Sequence, residues 1–470
     1  MHKPTSPHLV IIGAGPGGYT AAFLAADQGI NVTLIDTRSS LGGTCLHEGC
    51  IPSKTLLSVV HTLAHAKEAK EWGIYFEEPK INIEEIRQFK ENTITKLSTG
   101  LSQICKQKKI QFIIGKASFV NSKTITIEKI DGTSQTLSFD KCIIATGSKP
   151  IKPQCVPERL ANVLFSSQAL ELKEIPQTLL VVGGGYIGVE MASIYAGLGT
   201  QVTLCEIMPN LLSGTDQDLV AIALKSLKKK MTNIKLSTSM EKISIVNNGL
   251  EVTFNCQGTK TKELFAKILV ATGRKPNVAS LHLENTKIKQ EKNERIKVKA
   301  HYQTDDDTIY AIGDVVDGPM LAHKASYEAT IVIDAIAGKK INQDNAMIPS
   351  VVFTDPEIAY CGLTEGQAKE QNIPIEVFKF PWAANGRAVS LNRTDGLTKL
   401  IFDAKKEKLL GAGIVGAEAG ELIAQALLSI NTKAPLQHLG QSIYPHPTLS
   451  ETFKECLELS LGKSFYTFKK

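Results

Sequence analysis

At about 150 residues per domain, a chain of 470 residues has room for roughly three domains. Its 43% hydrophobic, 21% charged and 6% aromatic residues are those of a globular protein, which excludes a disordered or fibrous chain. The net charge of +6, from 53 basic and 47 acidic residues, is small for this length, and no run of like charge is longer than a triplet such as Lys228, Lys229 and Lys230, so nucleic-acid binding is not expected.

In chain order, Leu9–Ile12 is a short apolar strand, followed by Gly13, Gly15 and Gly18 in GxGxxG spacing, an alanine-rich helix from Tyr19, and a strand from Asn31 to Ile35 that ends at Asp36. The uncharged stretch Leu9–Ala26 could imitate a membrane or signal segment, but its glycines and Pro16 make it strand, turn and helix, and no membrane association is expected. The eight residues before it carry no Arg-rich amphipathic leader, so no targeting sequence is expected either. Cys45 and Cys50 follow in the segment GGTCLHEGCIPSK (Gly42 to Lys54). Two inert buried thiols, or half of a metal site with His47, are the plain structural alternatives, and the metal reading lacks a second ligand pair of suitable spacing. Pro52, early in an apolar helical run, places Cys50 near a helix N-terminus, where the dipole favours a thiolate and prepares a redox-active thiol. The other seven cysteines (Cys105, Cys142, Cys155, Cys205, Cys256, Cys361 and Cys456) are scattered, which argues against a secreted disulfide framework and for a reducing compartment, the cytoplasm by default.

Further along, a hairpin is expected at Thr124–Glu128, Asp131-Gly132 and Thr136–Phe139, then an apolar strand from Cys142 into Ala145-Thr146-Gly147 and a proline-rich linker at residues 149–157. The plan then repeats. Leu179–Val182 precedes Gly183, Gly185 and Gly188, a helix through Leu198, and a strand Gln201–Cys205 that ends at Glu206. A hairpin at Ile243–Val246, Asn248-Gly249 and Leu250–Phe254, and a second apolar strand from Ile268 into Ala271-Thr272-Gly273, complete the repeat. Thr308–Gly313 is a strand delivering Asp314 at its carboxyl end. After Pro349 the pattern changes to strands at Val351–Phe353, Ile375–Phe380, Leu397–Phe402 and Leu409–Val415, with helices at Thr364–Gln371, Ala419–Ile430 and Thr448–Leu461. The expected fold is α/β, with two Rossmann-like dinucleotide-binding domains and a C-terminal α+β domain, divided at 1–149, 150–275, 276–349 and 350–470.

A lone GxGxxG is weak, because glycine turns also serve packing. Here each match follows a strand, opens a helix and is followed about 20 residues later by an acid at a strand end, where a carboxylate can bond ribose hydroxyls while the helix N-terminus receives pyrophosphate. Two such units imply two dinucleotides, and their obvious joint use is hydride passage between a nicotinamide and a flavin. At the far end, Thr448 and Glu451 read as a capping box for the last helix, which leaves His446 unexplained. A carboxylate one turn from an imidazole can orient it and raise its basicity, as suits a base for a thiol proton.

GGTCLHEGCIPSK, the paired glycine units, both ATG strands, TIYAIGD, FTDPEIAYCGLTE and HPTLSE, in this order over essentially all 470 residues, resemble the flavoprotein disulfide reductases, and CIPSK with a single dithiol favours the branch acting on lipoamide. The resemblance implies FAD at Gly13, Gly15, Gly18, Asp36, Lys54, Asp314 and Ala322, and NAD at Gly183, Gly185, Gly188, Glu206 and Gly273. Cys45 would exchange with substrate, Cys50 would lie against the flavin as the charge-transfer thiolate, and Lys54 would pair with Glu190. The third domain would form a homodimer, with His446 and Glu451 completing the partner's site, and the partners would be lipoyl domains and core subunits of 2-oxoacid dehydrogenase or glycine cleavage complexes. The family commonly has Asn where His47 stands and His where Tyr444 stands, which bears on tuning rather than on the reaction. The competing readings are a reductase of glutathione-like disulfides or of mercuric ion, and a non-catalytic nucleotide-binding scaffold. The stretch Lys463–Lys470 has no cysteine pair to deliver a soft metal, and retention of Cys45, Cys50, Lys54, Glu190 and His446 argues against a scaffold.

Overall fold

The computed structural model describes residues 8–157, 160–246, 249–341 and 347–464; Asn248 of the second expected turn and the tail residues 465–470 lie outside them. Strand β1 (His8–Ile12) is an unbroken apolar run because its sheet is covered on both faces, and Leu9, Val10 and Ile11 are fully buried. Helix α1 (Pro16–Asp27) starts with proline in its first turn, and β2 (Asn31–Asp36) returns parallel to β1. Two helices follow, α2 (Gly43–Glu48) and α3 (Cys50–Glu68), then the long α4 (Ile83–Gln107) and β3 (Gln111–Ile114). The first sheet runs Ile309–Ala311, Lys141–Ile144, β1, β2, β3, all parallel, so its outermost strand comes from the far side of the second unit.

The second sheet repeats the order with Asn233–Lys235, Gln201–Cys205, Thr178–Val182, Lys267–Val270 and Val163–Phe165. The two glycine turns follow one steric rule. Gly13 and Gly183 sit at φ +104° and +111°, and a Cβ on Gly18 or Gly188 would lie 1.8 or 1.9 Å from the carbonyl oxygen of Gly13 or Gly183. Each expected hairpin is present as part of a three-stranded antiparallel sheet, with Lys116–Asn121 added before the first and Thr259–Phe265 after the second. The expected linker is partly structured, because Ser148–Pro150 pairs antiparallel with Arg274–Pro276 and lays the two crossings between units side by side.

The third region is an antiparallel sheet in the order Ser350–Val352, Glu357–Gly362, Leu409–Gly416, Leu397–Asp403, Ile375–Pro381, packed on the Ala419–Asn431 and Glu451–Ser460 helices around fully buried Trp382 and Phe453. Glu357–Gly362 was absent from the sequence expectation although it lies second in the sheet; Pro356 and Gly362 bound it so closely that its strand pattern is short. No helix among the described residues is long and apolar enough to cross a membrane.

Ion pairs join this region to the second unit. The Lys399 ammonium, fully buried, bonds Asp216 (2.6 Å), Asp218 (2.7 Å) and Glu365 (2.9 Å). Asp355 meets Lys230 at 2.7 Å and also pairs with Arg393. Burial by itself would raise the Asp355 carboxyl, but the two cations outweigh it and hold it at about 2, below its ordinary 3.8. A depressed carboxyl stabilises the fold above its ordinary value, and that contribution fades as pH falls towards 2. Asp355→Asn is therefore expected to cost about 3 kcal/mol near neutrality. Thermal melts should show the deficit shrinking between pH 7 and pH 3, and equal deficits would contradict the ion-pair origin.

Candidate active site

A cavity of about 370 Å3 runs along the first unit from Gly15 and Asp36 past Cys45, Cys50 and Lys54 to Asp314. Its glycine end is shaped for a phosphate. Gly15 caps α1, and a Cβ built on it would meet nothing nearer than Gly43 at 3.9 Å, whereas one on Gly43 would stand 2.6 Å from the Cα of Gly15. The helix N-terminus is left open to an anion while the backbone behind it is closely packed. Both Asp36 oxygens accept main-chain N–H groups, from Ala14 (2.6 Å) and Arg38 (2.9 Å), so the carboxylate ties the glycine turn to its strand and retains lone pairs for ribose hydroxyls. Glu206 does the same in the second unit, accepting from Gly184 (2.5 Å) and Met208 (2.7 Å), and Gly185 faces open space. These features fit FAD in the first unit and a nicotinamide dinucleotide in the second. Gly273, at φ +128°, ends the second ATG strand, and its carbonyl accepts the Ile151 N–H at 3.0 Å.

At the other end of the cavity, the Ser148 hydroxyl donates to Asp314 at 2.5 Å and itself accepts from Arg274 at 2.7 Å. The turn that carries Asp314 is clamped by a buried pair. Lys324 and Glu328 lie 2.6 Å apart, Glu328 accepts the Gly313 N–H at 2.6 Å, and Lys324 donates to the Gly313 carbonyl at 3.2 Å. Ala322, which lines the cavity, begins the helix that supplies both residues.

Cys45 lies within α2, and Cys50 is the first residue of α3, as its expected place near a helix N-terminus requires. Both are free thiols, and both line the cavity. The pair is strongly asymmetric. A hydrogen bond from Cys45 lowers the Cys50 thiol to about 7 against the cost of burial, with Lys54 helping and Glu190 opposing. The same hydrogen bond, followed by burial and the Cys50 charge, pushes Cys45 well above the usual thiol range. Lys54 donates to Glu190 at 2.7 Å, so this expected pair is present.

His446 stands apart. Its Nδ1 meets the Glu451 carboxylate at 2.9 Å, its ring is 74% exposed, and it does not line the Cys45/Cys50 cavity of its own chain. The expected capping box is only half formed, and this corrects the role given to Thr448. Glu451 accepts the Thr448 N–H at 2.8 Å, but the Thr448 hydroxyl bonds the Pro445 carbonyl and Ser450 instead of returning to the helix. One carboxylate thus fixes both the turn and the imidazole. Neither departure from the family pattern touches the thiols, for His47 is held by the Leu41 carbonyl (2.9 Å) and Tyr444 packs against the core of the third domain.

Residues 7–329 match the pyridine nucleotide-disulphide oxidoreductase family, and residues 348–457 match its dimerisation domain. The chain belongs to this family. It is 38% identical to the dihydrolipoyl dehydrogenase of Haemophilus influenzae, over 98% of this chain and 96% of that one, and 41% identical to that of Buchnera aphidicola subsp. Schizaphis graminum, over 98% and 97%. Among solved structures it is similar to the HOCl-induced flavoprotein disulfide reductase RclA from Escherichia coli, at TM-score 0.85 and 30% identity over 96% of this chain and 99% of that one. LpdA from Mycobacterium tuberculosis matches at TM-score 0.89 and 25% identity, over 97% and 99%.

For a pyridine nucleotide-disulphide oxidoreductase, several cavity-lining residues went unseen in the sequence, among them Arg38, Ser148, Tyr186 and Arg274. Lys324 and Glu328 carried a readable signal, an acid and a base one turn apart on an otherwise apolar helix face. Tyr186 and Ser148 carried none, since each lies beside a glycine turn and only packing makes it a wall of the cavity.

Proposed function

We propose that this chain oxidises dihydrolipoamide borne on a lipoyl domain and reduces NAD, serving 2-oxoacid dehydrogenase or glycine cleavage complexes as a cytoplasmic homodimer. The observation that carries this reading is the asymmetric dithiol, Cys45 holding its proton and Cys50 poised as a thiolate, between a phosphate-shaped glycine turn and the Lys54–Glu190 pair. Nearly full-length similarity to dihydrolipoyl dehydrogenases supports it. When bound, FAD supplies exchange of an electron pair between dithiol and nicotinamide.

When the two thiols are oxidised to a Cys45–Cys50 disulfide, a substrate thiolate attacks the Cys45 sulfur; the Cys45–Cys50 bond breaks and its electron pair leaves on Cys50. His446 of the partner subunit takes the proton of the second substrate thiol, which then attacks the mixed disulfide, closes the lipoyl ring and leaves Cys45 reduced. Lys54, paired with Glu190, stands beside Cys50 and favours its charged form. Asp36 and Glu206 hold the glycine turns open for the two dinucleotides.

NAD is the expected acceptor rather than NADP. Glu206 ends its strand, no Arg or Lys occurs from there to Lys225, and Lys235, beside Cys205 in the sheet register, is paired with Glu263 at 2.5 Å. Steady-state rates with dihydrolipoamide and NAD should exceed those with glutathione disulfide and NADPH, and kcat/KM should favour NADH over NADPH at least about tenfold, since a carboxylate facing the 2′-phosphate costs more than 1.4 kcal/mol. A preference for glutathione disulfide and NADPH would overturn the substrate and cofactor assignments together.

A further inference from the structure

The segment Phe353-Thr354-Asp355-Pro356 belongs to the dimerisation domain, yet it reaches the Lys54–Glu190 pair of its own chain. The Lys54 ammonium stands 4.5 Å from the centre of the Phe353 ring. The Phe353 main-chain N–H donates to Glu190 Oε1 at 3.1 Å, while Glu190 Oε2 accepts from Lys54 at 2.7 Å. Glu190 is almost fully buried, so both of its oxygens are committed, one to each partner. The backbone of this segment is itself fixed, because Thr354 is fully buried and donates to the Pro356 carbonyl at 2.6 Å, and Val352 lies in one core with Leu56, Leu57 and Val60 of α3.

Three parts of the chain therefore meet at one ammonium: α3 supplies Lys54, the second unit supplies Glu190, and the dimerisation domain supplies an aromatic face. We propose that Phe353 is a positioning residue for the redox centre, its ring holding the Lys54 ammonium against Glu190 in the cavity that Cys50 also lines. A lysine paired only with Glu190 could swing about its four-carbon stem, and the ring quadrupole restricts it to one side. Other titratable groups that bear on Cys45 or Cys50 are Tyr19 of α1, and Glu190 and Tyr186 of the second unit. The N–H that serves Glu190 is retained in any non-proline variant of Phe353.

The inference rests on the site reading above, in which Lys54 acts on Cys50, and its test keeps the two separable. The reduced holoenzyme is alkylated with iodoacetamide across pH 5.5 to 9, and modification of Cys50 is followed by peptide mapping. In Phe353→Leu the midpoint should move up, with alkylation below it about threefold slower, in keeping with the modest strength of a cation–π contact. Phe353→Tyr should keep the original midpoint. Phe353→Met, which retains bulk without a π-face, serves if the leucine variant does not fold, and should shift the midpoint in the same direction. Lys54→Met provides the control. If it raises the midpoint while neither Leu nor Met at position 353 does, the role of Phe353 is overturned and the site reading stands. If Lys54→Met leaves the midpoint in place, the site reading falls and the inference falls with it.

Discussion

Exchange of His446 for glutamine is expected to slow dihydrolipoamide oxidation by about two orders of magnitude or more, the usual loss when a positioned base is removed. The imidazole is prepared for that work. Glu451 accepts at Nδ1 with one oxygen and is itself held by the Thr448 N–H with the other, so the contact engages Nδ1 and not Nε2. Yet the ring lies outside the cavity that holds Cys45 and Cys50 in the same chain. A base must come within hydrogen-bond reach of its proton, so we propose that a second copy, joined through the dimerisation domain, completes the site. Mixing two inactive homodimers, Cys45→Ser and His446→Gln, under subunit exchange should restore activity, because each heterodimer then has one site with both residues intact. An inactive mixture with proven heterodimers would show that thiol and base act within one chain.

Removal of either cysteine is expected to abolish dithiol turnover, by roughly 10⁴-fold or more, as for loss of a nucleophile that no neighbour replaces. The two losses should differ in spectrum and in titration. Cys50 carries the lowered thiol, so Cys45→Ser should retain the long-wavelength thiolate-to-flavin absorption and Cys50→Ser should lack it. In the reduced wild-type protein that absorption should rise with pH through about 7. Because the hydrogen bond from Cys45 is the largest contribution to the lowered value, Cys45→Ala should move the rise to higher pH, and Cys45→Ser, which keeps a donor, should move it less. A band that persists in Cys50→Ser would exchange the roles of the two thiols.

Much of this architecture was legible because it is written in short-range steric code. Gly18 and Gly188 are demanded by the carbonyl oxygens of Gly13 and Gly183 five residues back, and an apolar strand ending at Asp36 or Glu206 is a local pattern, whereas Gly13 and Gly183 are crowded by Ala145 and Ala271 at the end of the neighbouring ATG strands. The redox segment was legible for the same reason, since Gly49 interrupts the helix and Cys50 starts the next within one continuous stretch. The capping box at Thr448 was misread because a favourable spacing does not say where a hydroxyl will turn once Pro445 and Ser450 are near it. Glu357–Gly362 escaped because a strand of six residues earns its place through partners on both sides, one of them more than 50 residues away.

Two dinucleotide units, a cysteine pair at a helix start and an unexplained histidine near the end could be read from residue order, each set by residues within about one turn or strand of one another. Folding, not residue order, brings Glu190 and Phe353 from separate parts of the chain onto the Lys54 ammonium. The same folding brings Cys45 and Lys54 to bear on Cys50, whose lowered thiol the helix start had already suggested, and leaves His446 outside the cavity that both cysteines line. The physical reason is range: steric and capping rules act between chain neighbours, whereas the charge, burial and hydrogen bonds that set a thiol's ionisation are summed over whatever folding brings within a few ångströms.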